Sequence, residues 1–177
     1  MFFAWKIDLA KAYDRLQWSF IKNVIMEVGI SSSLVELIIW CVTSVQYQVI
    51  LNGEMSEQFT HRCGIRQGIP PSPYLLVLCT EKLSHLITQK VHSGMWKCVK
   101  ISRGPIISHI FFADDLILFG QATIPQADLI RGCLKEFCNL SGQQISFSKF
   151  RVFCSTKIKE GVARILLRFL VHLLLEI

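Results

Sequence analysis

Phe111-Phe112-Ala113-Asp114-Asp115-Leu116-Ile117-Leu118-Phe119 sets two adjacent carboxylates between two apolar runs, the pattern of a buried hairpin with acids at its tip. Far upstream, Trp5-Lys6-Ile7-Asp8-Leu9 places a third acid in a similar setting. Folding that joins the two stretches would gather three carboxylates at strand ends. Such an oxygen-rich group suits magnesium, which takes one or two carboxylates and completes its shell with substrate phosphates. A pair of these ions can stabilise both the attacking and the leaving oxygen of a displacement. The pattern points to nucleotidyl transfer.

Composition agrees with a globular setting for that chemistry. The chain has 177 residues, 51% of them apolar, enough to bury one sizeable core. No low-complexity tract, repeat or Gly/Ser linker divides it. Cys41, Cys63, Cys79, Cys98, Cys133, Cys138 and Cys154 are odd in number and form no C-x-x-C pair or Cys/His ligand set, so they are expected to be reduced core residues. At the N-terminus Met1-Phe2-Phe3-Ala4-Trp5 meets Lys6 and Asp8 before an apolar run develops, unlike a secretory signal. The expected location is intracellular, in nucleus or cytoplasm, and not secreted. The net charge of +6 is unevenly spread: residues 61–103 carry seven basic groups against Glu81 alone, whereas residues 104–148 are net acidic around Asp114 and Asp115. Basic flanks around an acidic centre fit a metal site with a polyanion about it; a solvated basic face fits the same counts.

Along the chain, residues 3–9 read as a short buried strand, and Asp14 through Val28 as a helix with its stripe at Ile21, Val24, Ile25 and Val28, stopped by Gly29. Ser33 and Glu36 stand in capping-box relation ahead of a second helix. Asn52-Gly53 marks a hairpin whose return strand runs to about Cys63. Between Gly64 and Pro73, two glycines and three prolines rule out regular structure until Ser72 caps and Pro73 opens a helix burying Leu76, Cys79, Leu83, Leu86 and Ile87. Short strands follow around residues 96–101 and 106–112, then the Asp114-Asp115 turn and a return over 116–119. Pro125 opens a last helix, ended by Ser141-Gly142 before a strand near 145–147. Strands and helices mix without regular alternation, which favours an α+β fold.

Three blocks, Lys6-Ile7-Asp8-Leu9-Ala10-Lys11-Ala12-Tyr13-Asp14-Arg15, Gly64 to Pro73, and Phe112-Ala113-Asp114-Asp115, resemble in order and spacing the reverse transcriptases of non-LTR (LINE-type) retrotransposons, particularly those of plants. The resemblance implies a right-hand polymerase palm, a small antiparallel sheet backed by helices, over residues 1–154. It implies copying of an RNA template into DNA from a primer and dNTP. Asp8 and Asp114 would be the principal ligands of two magnesium ions, with Asp115 in support. Tyr13 resembles the aromatic gate that excludes a ribose 2′-hydroxyl, although ring packing between strand and helix accounts equally for its residue type. Gln67 and Gly68 match the loop at the incoming nucleotide, where glycine permits close backbone approach. Arg66 would help to hold phosphate, or is a plain surface arginine. Lys149, within Ser141 to Lys149, matches a motif whose lysine is a candidate proton donor to leaving pyrophosphate.

The pattern departs from those relatives at Ile69, where aspartate is usual, and at Pro71, where leucine is usual. Pro70-Pro71 is expected to hold an extended path and stiffen the approach to the helix. The sequence starts almost at the first catalytic strand, so fingers and thumb are expected to be missing and the piece to be truncated and inactive alone. Residues 155–177 read as a divergent amphipathic helical tail, its polar stripe at Arg164, Arg168, His172 and Glu176. That tail is short for a membrane span and carries arginine, so no membrane partner is expected, and the oligomeric state is open. The competing reading is a non-catalytic nucleic-acid-binding remnant, against which the three acids speak, since without metal they would repel phosphates.

Overall fold

Strand β1 (Phe2–Asp8) alternates buried and open residues, and that alternation organises the molecule. The computed structural model describes residues 1–101, 104–146 and 148–155. After β1 come helices α1 (Ala12–Arg15), α2 (Trp18–Glu27) and α3 (Ser32–Thr43), and then four two-residue strands: β2 (Gln46–Tyr47), β3 (Ile50–Leu51), β4 (Glu54–Met55) and β5 (Phe59–Thr60). The long α4 (Pro71–His92) leads to β6 (Val99–Lys100), β7 (Ile106–Ile107), β8 (His109–Phe112) and β9 (Asp115–Gln121), followed by α5 (Ile124–Ser141) and β10 (Arg151–Cys154). The main sheet has the order β10-β1-β9-β8, and every neighbouring pair in it is antiparallel.

Because side chains alternate across a strand, register decides which of them meet. Phe3 pairs with Gly120, Trp5 with Leu118 and Ile7 with Leu116, and all six are buried. Helices cover this face: α5 packs on β9, α4 on α5, and α2 on both helices. They contribute Ile130, Leu134 and Phe137, then Leu76, Leu83 and Ile87, then Ile21 and Ile25, each at most 1% exposed. Burying Ile7, Leu116 or Leu118 contributes about 1.5–3 kcal/mol apiece. The other face carries Lys6, Asp8, Asp115 and Ile117 and has no helix over it among the described residues. Ile110, Phe112 and Phe153 lie on it, 47%, 81% and 60% exposed. The hairpin is therefore buried on one face and open at its tip, where complete burial was expected.

Several boundaries differ from the sequence expectation for identifiable reasons. The helix expected from Asp14 is broken between α1 and α2, because Gln17 is extended and its N–H donates to the carbonyl of Ser141 at 2.9 Å. Helix α3 starts at Ser32 with Ser31 as its flanking residue and no side-chain cap, so the Ser33–Glu36 capping box does not form. Pro71 opens α4, two residues earlier than Pro73, and Pro70 is helical (φ −54°, ψ −40°) rather than extended. A proline fits the first helical turn because its missing N–H has no partner to lose there. Ser72 lies inside the helix and donates its hydroxyl to the carbonyl of Arg66 at 2.5 Å. Asn52 and Gly53, both at positive φ, close the β3–β4 hairpin as expected, but the return is split into β4 and β5, the latter paired with β2, and ends at Thr60 rather than near Cys63. Near 145–147 the described residues show only an isolated bridge, Leu9 to Ile145; the true edge strand is β10. All seven cysteines are free, but only Cys79, Cys133 and Cys138 are the buried core residues expected; Cys63, Cys98 and Cys154 are half-buried and Cys41 is exposed. Burial pushes the thiols of Cys79 and Cys138 up to about 12, as expected of structural rather than reactive sulfur. The tail beyond Ser155 lies outside the described residues. No helix among the described residues is long and apolar enough to cross a membrane.

Candidate active site

Asp8 ends β1 and Asp115 begins β9, and the two are direct register partners across the antiparallel pair. Partners opposite one another point to the same side of a sheet. Both carboxylates therefore stand on the uncovered face, at the end nearest the β8–β9 turn. That turn has two residues, Ala113 and Asp114. Ala113 sits at φ +53°, in the left-handed region that two-residue hairpin turns demand and that alanine disfavours. Ala113→Gly is expected to stabilise the fold by about 0.5–1 kcal/mol, read as a higher urea midpoint at unchanged slope. An unchanged or lower midpoint would show that the turn is not strained.

Two lysines neutralise these acids. Lys149 Nζ donates to Asp8 Oδ2 at 3.0 Å, and Lys6 Nζ pairs with Asp115 Oδ1 at 3.2 Å. The segment carrying Lys149 is tied to the end of β1: Ala10 N–H donates to the Gln144 carbonyl at 2.7 Å, and Ser146 N–H to the Asp8 carbonyl at 2.8 Å. The Lys149 ammonium is held above the ordinary lysine range, first by its hydrogen bond to Asp8 and then by that carboxylate's charge. Partial desolvation opposes the shift, and Asp114 and Asp115 add to it. Lys149 thus bonds Asp8 and lies within electrostatic reach of Asp114 and Asp115.

The second block of expected site residues comes alongside through backbone bonds. Ile65 N–H donates to the Tyr13 carbonyl at 2.7 Å, Gly64 N–H to the Leu16 carbonyl at 2.7 Å, and Trp18 Nε1–H to the Gly64 carbonyl at 2.8 Å. These bonds lay the loop of Arg66, Gln67 and Gly68 against the turn that bears Tyr13. Tyr13 is half-buried and packs on the core, while Arg66, Gln67 and Gly68 are exposed. Lys6 escaped the sequence reading. Its signal was present, since a residue two before Asp8 on a strand shares its face.

Oxygen donors on one uncovered sheet end fit a hard divalent ion, and the lysine ammoniums occupy positions of positive charge that such an ion would take over. Among the described residues no three acidic, histidine or cysteine side chains already form a closed metal cage. Magnesium does not need one, because it keeps waters and substrate oxygens in its shell.

The chain is similar to known proteins in the same sense. Over 67 residues it is 43% identical to an uncharacterized mitochondrial protein of Arabidopsis thaliana, covering 37% of this chain and 55% of that one. Over 119 residues it is 26% identical to a retrovirus-related Pol polyprotein from the type-1 retrotransposable element R2 of Popillia japonica, covering 67% and 19%. It therefore spans about half, or much less, of the length of these relatives. Among solved structures, telomerase of Candida albicans superposes with a TM-score of 0.68 over 89% of this chain and 27% of that one, at 14% identity. Apo telomerase of Candida tropicalis gives 0.67 over 90% and 32%, also at 14% identity. The shared fold is the α+β palm expected from the motifs. Residues 3–163 match the family described as reverse transcriptase (RNA-dependent DNA polymerase), and the chain belongs to that family.

Proposed function

We propose that this chain is the palm of a retrotransposon reverse transcriptase, which adds a dNTP to a primer 3′-hydroxyl opposite an RNA template. The observation that carries the reading is the Asp8–Asp115 register pair, with Asp114 in the adjoining turn and Lys149 bonded to Asp8. In this reading Asp8 and Asp114 hold two magnesium ions and Asp115 supports them. Bound there, the ions would lower the pKa of the attacking hydroxyl and neutralise the departing pyrophosphate. Lys149 stands at the same carboxylates as a proton donor to that leaving group. Tyr13 lies beside the loop of Gln67 and Gly68, where a ring can discriminate the sugar of the nucleotide on that loop, and Arg66 meets its phosphates. The open sheet face would carry the primer–template, whose backbone the protein meets without reading its sequence. Such copying is work for the nucleus or cytoplasm, in keeping with seven free cysteines.

The test is binding and extension of oligo(dT) on poly(rA) with dTTP, with and without magnesium, in the wild-type chain and in Asp114→Asn. The expected result is magnesium-dependent binding of the primer–template, with any extension product lost in the variant. Binding that is indifferent both to magnesium and to Asp114→Asn, with no product, would replace this reading by that of a non-catalytic RNA-binding module.

A further inference from the structure

Lys6 stands on the open face with Asp8, two residues before it on β1. Directly opposite it are Ile117 on β9 and Arg151 on β10. Ile117 offers its ammonium no charge, and Arg151 repels it. Arg151 turns instead to backbone, donating from Nη1 to the carbonyls of Ser148 and Phe150 at 3.0 and 2.8 Å. Lys6 therefore reaches along the diagonal, from its own row to the next, where its Nζ meets Asp115 Oδ1 at 3.2 Å. Diagonal neighbours on antiparallel strands lie within reach of long side chains.

The three acids are thereby unequal. Asp8, its side chain 12% exposed, holds Lys149 by a hydrogen bond of 3.0 Å. Asp115 holds Lys6 with both side chains in water, 44% and 43% exposed. Among the described residues Asp114 forms no hydrogen bond or ion pair. A pair as open as Lys6–Asp115 is held weakly, by a factor of about fivefold at most. Asp115 can give an oxygen to a divalent ion at Asp8 and Asp114 only when the Lys6 ammonium lets go. We propose that Lys6 is a positioning residue that tunes the affinity of the site for divalent ions: its ammonium competes with the ion for Asp115 and is released when the ion binds. The inference rests on the metal reading of these carboxylates and adds to it a residue that acts through Asp115. Lys6 keeps its charge throughout, and only its partner changes.

The experiment follows Mn²⁺ binding to the whole chain through the free-ion EPR signal, in wild type, Lys6→Met, Lys6→Arg, Asp115→Asn and the Lys6→Met/Asp115→Asn double variant. Lys6→Met is expected to bind the ion about three- to fivefold more tightly, and Lys6→Arg, which keeps the charge, to stay within about twofold of wild type. In the Asp115→Asn background the gain from Lys6→Met should disappear, because the contested carboxylate is gone. A gain of equal size there would make Lys6 a distant repulsive charge and overturn the proposal. Wild-type affinity in Lys6→Met, while Asp8→Asn loses the ion, would also overturn it and leave the metal reading standing. Where Asp115→Asn binds too little Mn²⁺ to compare, amine labelling of the wild type decides. Acetylation of Lys6 by acetic anhydride, followed by mass spectrometry, is expected to rise about threefold or more on adding magnesium. Lys82, paired with Glu27 in the helix layer, should label equally with and without the ion. Lys6 labelling that ignores magnesium would refute the release, and failure of every form to take up Mn²⁺ would remove the proposal together with the reading beneath it.

Discussion

Asp8→Asn is expected to lower the affinity of the chain for Mn²⁺, followed through the free-ion EPR signal, by at least about a hundredfold. Changes to residues that merely orient metal ligands typically cost ten- to a hundredfold, and in the proposed reading this change removes the charge of a ligand itself. Asp8 is the least exposed of the three acids and stands directly opposite Asp115, so neither neighbour can take its place without leaving its strand register. Stability should change little. The Asp8–Lys149 pair sets a lysine side chain 66% exposed against a carboxylate side chain 12% exposed, and because the ammonium end stays in water the pair contributes about 1 kcal/mol. The variant should therefore melt close to the wild type while failing to take up the ion. Equal Mn²⁺ uptake by wild type and variant would remove Asp8 from the metal site, whatever the fate of the fold.

The second large effect is expected at Gly64, which is not one of the proposed site residues. This residue has φ +90°, and a Cβ built on it would lie 2.6 Å from the carbonyl oxygen of Asp14 and 2.9 Å from its carbon. Backbone cannot step aside as a flexible side chain can. Gly64→Ala therefore adds a clash to the cost of left-handed geometry, and a loss of about 2–4 kcal/mol is expected in urea unfolding. Gly68→Ala separates the two contributions. Its φ is +84° but nothing lies within 4 Å of the added methyl, so it should cost only about 1 kcal/mol. Equal losses at the two positions would mean that the approach of Gly64 to Asp14 is not what holds the loop against the Tyr13 turn.

How far the sequence could be read depended on where the deciding interaction lay. Asn52-Gly53, the Gly142 stop and the alternation of Trp5, Ile7 and Leu9 are local signals, and the elements they announce are present. The break between α1 and α2 is not local: the N–H that leaves the helix at Gln17 goes to Ser141, more than a hundred residues away. Pro71 was misjudged because an isolated Pro-Pro pair favours extended chain, whereas the first turn of α4 accepts proline without loss. At the site, the residue types at 8, 114 and 115 suggested oxygen ligands for a divalent ion, a role left to the magnesium and Mn²⁺ experiments. Which of them face one another is a matter of register, and that no motif records. Lys6 and the edge strand β10 belong to the same class, since each takes its meaning from a partner strand.

The placement of Asp8 across from Asp115 makes the site a matter of parity. Deleting a single residue between Asp115 and Gly120 would swap odd for even, turning the carboxylate into the helix layer and an aliphatic side chain out to water, whereas removing two would leave every residue on its own side. Between acid and core, then, residues can be added or removed only in twos.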